Sequence, residues 1–154
     1  MLTMEKALRL RRSRIFAEVP DHALPDLASV MEEIPVPSRS LIIEAGEWGT
    51  CMYVIVTGTV RIFVNDVEVD QMGPGQVFGE LAVLDPEPRS ATVVAGDGPV
   101  HLLRLEREDL FDRMADQMDI AIGLVRFLCD RYRELAKQNA DNLRGRVVTK
   151  HEEG

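Results

Sequence analysis

TCMYVIVTGTVRIFVND, residues 50–66, decides the fold. The run is long and β-branched, and Gly58 is its only interruption, so it predicts two strand pieces joined at a bend or bulge. From Val60 the pattern alternates, with Val60, Ile62 and Val64 on one face and Arg61, Phe63 and Asn65 on the other. Asn65-Asp66 suits a two-residue hairpin turn, after which VEVDQM runs back along the first strand. Further out, Gly73-Pro74-Gly75 marks another turn. SATVVA and VHLLRLE supply two later strands, separated by Gly96-Asp97-Gly98-Pro99. Several short strands with Gly-rich turns indicate a β-barrel or jelly roll and not a parallel α/β sheet.

Both flanks read as helix. Over 3–34, Leu8, Ile15 and Phe16 predict one short helix. Pro20-Asp21 opens another, with Asp21 as N-cap and Leu24, Leu27, Val30 and Met31 at helical spacing. Downstream, Arg107 to Asp116 forms one short segment and Asp119 to about Asn139 a long one. In the long one Ala121, Val125, Leu128, Tyr132 and Leu135 recur at steps of four and three, an apolar seam two heptads long. That seam packs on the β-domain or on a partner helix; the pattern fits both. Residues 144–154 show no periodicity. The expected class is α+β, mainly β: a helical lead-in (3–34), a β-roll (35–106) and C-terminal helices (107–139). These make one domain over 1–140, with a tail or linker over 141–154.

A chain of 154 residues is long enough for one well-buried core. Its formal charge of −8 argues against general contact with nucleic acid or an anionic membrane, which needs local positive charge. Arg9, Arg11, Arg12 and Arg14 form a basic run that reads as a solvated helix face. Cys51 and Cys129 sit in apolar segments and predict two buried thiols in a reducing, cytoplasmic setting. The sequence has no apolar run of about 18 residues and no signal-peptide core.

The segment FGELAVLDPEPRS (78–90) carries the candidate chemistry. Gly79 lets the backbone approach a ligand closely. The N–H groups of Glu80, Leu81 and Ala82, at the start of a short helical turn, suit an anion. Glu80 is an acceptor for hydroxyls, and Arg89 is a permanently charged fork for phosphate oxygens. Pro86 and Pro88 restrict the loop between them. A plain Glu80–Arg89 salt bridge explains the same residue types, and the two readings stand side by side on composition alone.

FGELAVLDPEPRSATVVA, Phe78 to Ala95, resembles the phosphate-binding cassette of cyclic nucleotide-binding domains. Upstream, IIEAGEWGTCMYVIVTGTVRI, Ile42 to Ile62, resembles the family's glycine-punctuated strands at Gly46, Gly49 and Gly58. The resemblance extends over about residues 12–138. It implies that Glu80 accepts the ribose 2′-hydroxyl and that Arg89 binds a phosphate oxygen, helped by the N–H groups of Leu81, Ala82 and Ser90. Phe78 and Gly79 would complete the cassette, Ile62 and Val69 would wall the purine and ribose, and Phe127, Leu128 or Tyr132 would cap the purine. Asp85-Pro86-Glu87-Pro88 departs from the pattern, since relatives often place a glycine there, and the two carboxylates are expected to face solvent. Ser90 could bond the 2-amino group of a syn guanine, yet a small hydroxyl also occurs in cAMP-selective relatives. Between cAMP and cGMP, cAMP is favoured.

The resemblance implies a non-catalytic sensor whose C-terminal helices report the ligand, with no metal, no contact of this chain with nucleic acid and no membrane. A homodimer through the last helix and a larger fused effector domain are the partners it suggests. Only about fifteen residues follow the long helix, so the chain reads as a free-standing module or an excised domain. A metal-dependent enzyme on a similar roll would need clustered ligands. His22, His101 and His151 lie in unrelated segments, and neither cysteine has a recognisable nearby base. A ligand-free dimerisation or docking module with the same fold is the alternative.

Overall fold

Gly58, at φ 86°, separates β4 (Cys51–Thr57) from β5 (Val60–Val64). Asn65 and Asp66, both at positive φ, then turn the chain into β6 (Val67–Met72), the geometry of a tight hairpin. These three strands are the middle of a computed structural model that describes the backbone of residues 1–153 and the side chains of residues 1–146. Before them come α1 (Thr3–Arg12), α2 (Leu24–Ser29), β1 (Glu32–Val36), β2 (Leu41–Ile43) and β3 (Trp48–Gly49). After them come β7 (Val77–Phe78), α3 (Glu80–Leu84), β8 (Glu87–Pro88), β9 (Thr92–Ala95), β10 (Val100–Glu106), α4 (Arg107–Asp116) and α5 (Met118–Glu153).

All the pairings are antiparallel. One sheet has the order β1-β10-β4-β7 and the other β2-β9-β5-β6, while β3 and β8 form a two-stranded ribbon. The β-roll between flanking helices is the architecture the strand pattern predicts.

The burial of β4 explains why the first half of the decisive stretch lacks polar alternation. Cys51, Tyr53 and Ile55 face the second sheet, in a core with Ile43, Val60, Val93 and Leu102. Met52, Val54 and Val56 point the other way, into a helical layer with Leu10, Phe16, Leu27, Leu110, Ile120 and Leu124. A strand covered on both faces is apolar throughout.

The helices depart from the sequence reading in several places. α1 ends at Arg12 and Leu8 is exposed; Ile15 and Phe16 are buried in the turns that follow, outside any helix. α2 begins only at Leu24 with Ala23 as its N-cap, and Asp21 instead pairs with Arg11 at 2.6 Å. Arg11 also donates to the carbonyls of Ala17 (2.8 Å) and Val19 (2.5 Å), so it organises this turn and is not merely solvated. Cys51 is buried as expected but Cys129 is exposed. Phe127 faces the core, and a residue two positions on lies across the helix from it.

α5 does not stop near Asn139. It continues through the stretch expected to be a tail, to Glu153. Residues 140–153 contain no proline, and Gly145 alone costs a helix only about 1 kcal/mol. Side chains from residue 147 onward, His151 included, lie outside the described residues. α5 packs on the core through Ile120, Leu124 and Phe127. The predicted seam of Val125, Leu128, Tyr132 and Leu135 is therefore exposed and not part of the core. No helix among the described residues is long and apolar enough to cross a membrane.

Candidate functional site

Gly79 ends β7 in the left-handed region, at φ 79°, and caps α3. A Cβ there would lie 2.6 Å from Arg89 Nη1 and 2.9 Å from the Cys51 carbonyl oxygen, so glycine is required both for the turn and for the space. Arg89 itself is anchored at both ends of its backbone. Its N–H donates to the Glu47 carbonyl at 2.7 Å, and its carbonyl accepts from the Gly46 N–H at 2.8 Å. Its Nη2 donates to the Cys51 carbonyl at 2.8 Å and to Cys51 Sγ at 3.4 Å. The guanidinium is thus oriented by the Cys51 carbonyl and sulfur, and it forms no ion pair among the described residues.

This arrangement forms one wall of a cavity of about 250 Å³. Of the expected site residues, Ile62, Phe78, Gly79, Glu80, Leu81, Ala82, Arg89 and Ser90 all line it. Val69 does not: it falls where the β5–β6 register shifts between Ile62 and Phe63, and it is 57% exposed. Met72 takes the place on that strand, joined by Ile43, Val77 and Val93. Those four come from four different strands, so no local motif marks them. The N–H of Ala82 is also less available than expected, because it donates to the Gly79 carbonyl at 3.2 Å.

Glu80 and Arg89 line the same cavity and form no ion pair with each other among the described residues. Asp85 is exposed and lies off the cavity. Glu87, also exposed, nevertheless lines the cavity with Pro88, so this carboxylate is not turned away to solvent alone as expected; β8 here pairs with Trp48 and Gly49. Behind the cavity the ring of Tyr53 stacks on Phe78 with centroids 5.0 Å apart. Burial, and then the neighbouring Cys51 thiol, push the Tyr53 phenol up to about 12.

A second recess of about 430 Å³ adjoins the first and shares Met72, Val77 and Glu80 with it. Phe127 and Arg131 of α5 line this recess. Of the three candidates for capping a purine, only Phe127 faces this side; Leu128 and Tyr132, 42% and 74% exposed, line neither space. Arg131 is a lining residue that the sequence reading missed.

The cassette is linked to the C-terminal helices by Arg107. Its Nη1 donates to the carbonyls of Val83 and Leu84 at the end of α3, its Cζ lies 3.9 Å from the Phe111 ring centroid, and its N–H donates to the Thr50 carbonyl at 2.9 Å. Among the described residues no group of three His, Cys, Asp or Glu side chains is placed to hold a metal ion. His22 pairs with Asp119, and His101 with Glu33.

Comparison with known proteins accounts for this geometry. Residues 33–117 match the model of the family described as the cyclic nucleotide-binding domain. The chain is 31% identical over 139 residues to a CRP-like cAMP-activated global transcriptional regulator of Mycobacterium tuberculosis (strain CDC 1551 / Oshkosh), covering 86% of this chain and 61% of the regulator. Its fold is similar to the N-terminal domain of a transcriptional regulator from Streptomyces coelicolor A3(2), with TM-score 0.77 and 30% identity over 82% of this chain and 94% of that one. It is also similar to the regulatory domain of Toxoplasma gondii PKA crystallised with cAMP, with TM-score 0.65 and 28% identity over 71% of this chain and 43% of that one. The chain thus spans less than two thirds of the length of the regulator it matches. With Arg89, Gly79 and the first residues of α3 lining one cavity of the β-roll, and the family model matching residues 33–117, the chain belongs to the cyclic nucleotide-binding domain family.

Proposed function

We propose that this chain is a non-catalytic, cytoplasmic sensor that binds a 3′,5′-cyclic nucleotide, cAMP in preference to cGMP, in the cavity beside α3. Arg89 binds the phosphate with the N–H groups of Leu81 and Ser90, the Ala82 N–H being held by the Gly79 carbonyl, and Glu80 accepts the ribose 2′-hydroxyl. Phe78, Gly79, Leu81, Ala82 and Ile62 shape the pocket, and Phe127 caps the purine. The observation that carries the reading is that Glu80 and Arg89 line one cavity without pairing. A permanent cation with no ion pair among the described residues is available to an anion. The naming of similar regulators after cAMP supports that nucleotide.

Ligand binding favours the state in which α3 is drawn toward Arg89 and α5 closes over the base. Helix position becomes the output, a population shift and not catalysis. Residues 1–140 act as one domain. The exposed seam on α5 pairs two copies, and a fused effector domain receives the signal.

The test is the melting temperature with excess cAMP, cGMP or AMP, repeated in Arg89→Ala. Ligand at a hundred times its Kd stabilises the native state by roughly 2.7 kcal/mol, several degrees for a domain of this size. Loss of the charge-assisted contact removes about 2–5 kcal/mol of binding and erases the shift. No shift with either cyclic nucleotide, in protein free of co-purified ligand, would favour the ligand-free docking module. The exposed α5 seam is the feature that would serve such a module.

A further inference from the structure

The recess that adjoins the nucleotide cavity has its own chemistry. Three guanidinium groups line it: Arg12 at the end of α1, Arg14 just beyond, and Arg131 on α5. Its wall is apolar, from Ile15, Val77 and Phe127. One carboxylate, Glu134, is shared by Arg14 and Arg131, the latter at 3.5 Å. Arg12 has no ion pair among the described residues. In a chain whose formal charge is −8, three arginines line one recess, where Glu134 pairs with only two of them and Glu80 stands on the wall shared with the nucleotide cavity.

We propose that Arg12, Arg14 and Arg131 form a second, anion-binding subsite for the phosphate group of a small phosphorylated molecule, entered in exchange for the Glu134 carboxylate. Guanidinium forks match phosphate oxygens in pairs, and a phosphate dianion satisfies three of them where one carboxylate cannot. The Phe127 and Ile15 side gives the organic part of the ligand an apolar surface. Glu80, on the wall shared with the nucleotide cavity, repels an anion from that side and keeps the phosphate at the arginine end. The Arg14–Glu134 pair ties the segment after α1 to α5, so an anion that displaces Glu134 loosens α5 at the helix proposed to close over the nucleotide. The subsite itself does not depend on the nucleotide reading.

The test is titration with inorganic pyrophosphate at constant ionic strength, followed by 31P chemical shift and by heat, on wild type and on Arg12→Ala, Arg131→Ala, Glu134→Gln and Arg89→Ala. Saturable binding is expected in wild type and in Arg89→Ala. It should weaken at least about tenfold in Arg12→Ala and in Arg131→Ala, as for loss of a charge-assisted hydrogen bond. Removing the competing carboxylate in Glu134→Gln should tighten it severalfold. Arg12 is exposed and has no ion pair among the described residues, so its variant retains the fold, which a melting curve verifies. The absence of saturable binding in wild type overturns the proposal. Binding lost in Arg89→Ala but intact in Arg12→Ala overturns it too, because the anion then occupies the nucleotide cavity. A parallel cAMP titration reports on the nucleotide site separately.

Discussion

The side chain of Arg89 occupies the space that a Cβ on Gly49 would need: the added carbon would lie 2.6 Å from Arg89 Cζ and 2.7 Å from Cδ. Gly49 belongs to β3, which pairs with β8 immediately before the arginine. The ribbon therefore holds Arg89 from its backbone and leaves room for its stem. Gly49→Ala forces the guanidinium out of its place without imposing backbone strain, since this glycine is not at positive φ. Cyclic-nucleotide affinity is expected to fall at least about tenfold, equivalent to ~1.4 kcal/mol. Calorimetric titration checks this, and an unchanged affinity would show that Arg89 does not need its present position.

Arg107 closes the last turn of α3 onto α4. Arg107→Ala removes a charged donor from the Leu84 carbonyl and a cation–π interaction with Phe111, at a cost of about 2 kcal/mol in urea denaturation. Hydrogen exchange at Leu84 and Asp85 should accelerate more than exchange in β4, because the Arg107 guanidinium acts at the α3–α4 junction.

The Tyr53 phenol gives a pH signature. Its folded pKa of about 12 stands above the ordinary value of 10.0, because burial disfavours the phenolate. Between those values the unfolded chain releases a proton that the folded one keeps. The contribution is fully present below pH 10 and is lost as pH rises toward 12. Tyr53→Phe should flatten the fall of stability with pH across that window while retaining the stack on Phe78. Denaturation midpoints at stepped alkaline pH measure it.

The seam on α5 presents Val125, Leu128, Tyr132 and Leu135 to solvent. If it pairs two copies, wild type sediments as a dimer and Val125→Asp with Tyr132→Asp sediments as a monomer, since two charges in an apolar helix seam are not compensated. The thermal shift with cAMP should persist in the monomer, because neither residue lines the nucleotide cavity.

The sequence by itself determined β4, β5, β6, β9 and β10 and the contiguous part of the candidate site, whereas β1 begins at Glu32 within the stretch read as helical lead-in. In 50–66 the periodicity, Gly58 and the Asn65-Asp66 turn are local signals that tertiary contacts had only to accept. Phe78 to Ser90 is likewise one contiguous piece, and eight of the nine residues expected to shape the pocket line the cavity. Tertiary structure decided what depends on distant pieces of chain. The shifted β5–β6 register turned Val69 outward, and strands far apart in sequence brought Ile43, Met72, Val77 and Val93 to the cavity. The face of α5 that the core covers was also a tertiary matter. Ala121, Val125, Leu128, Tyr132 and Leu135 make an apolar stripe as regular as Ile120, Leu124 and Phe127, and helical periodicity is the same for both. The turn after α1, held by Arg11 and touching α5 at Gly123 through Val19, together with α4 lies on the side of the second stripe and leaves the first exposed. Arg131 faces the recess for the same reason: Phe127, one turn earlier, is anchored in the core.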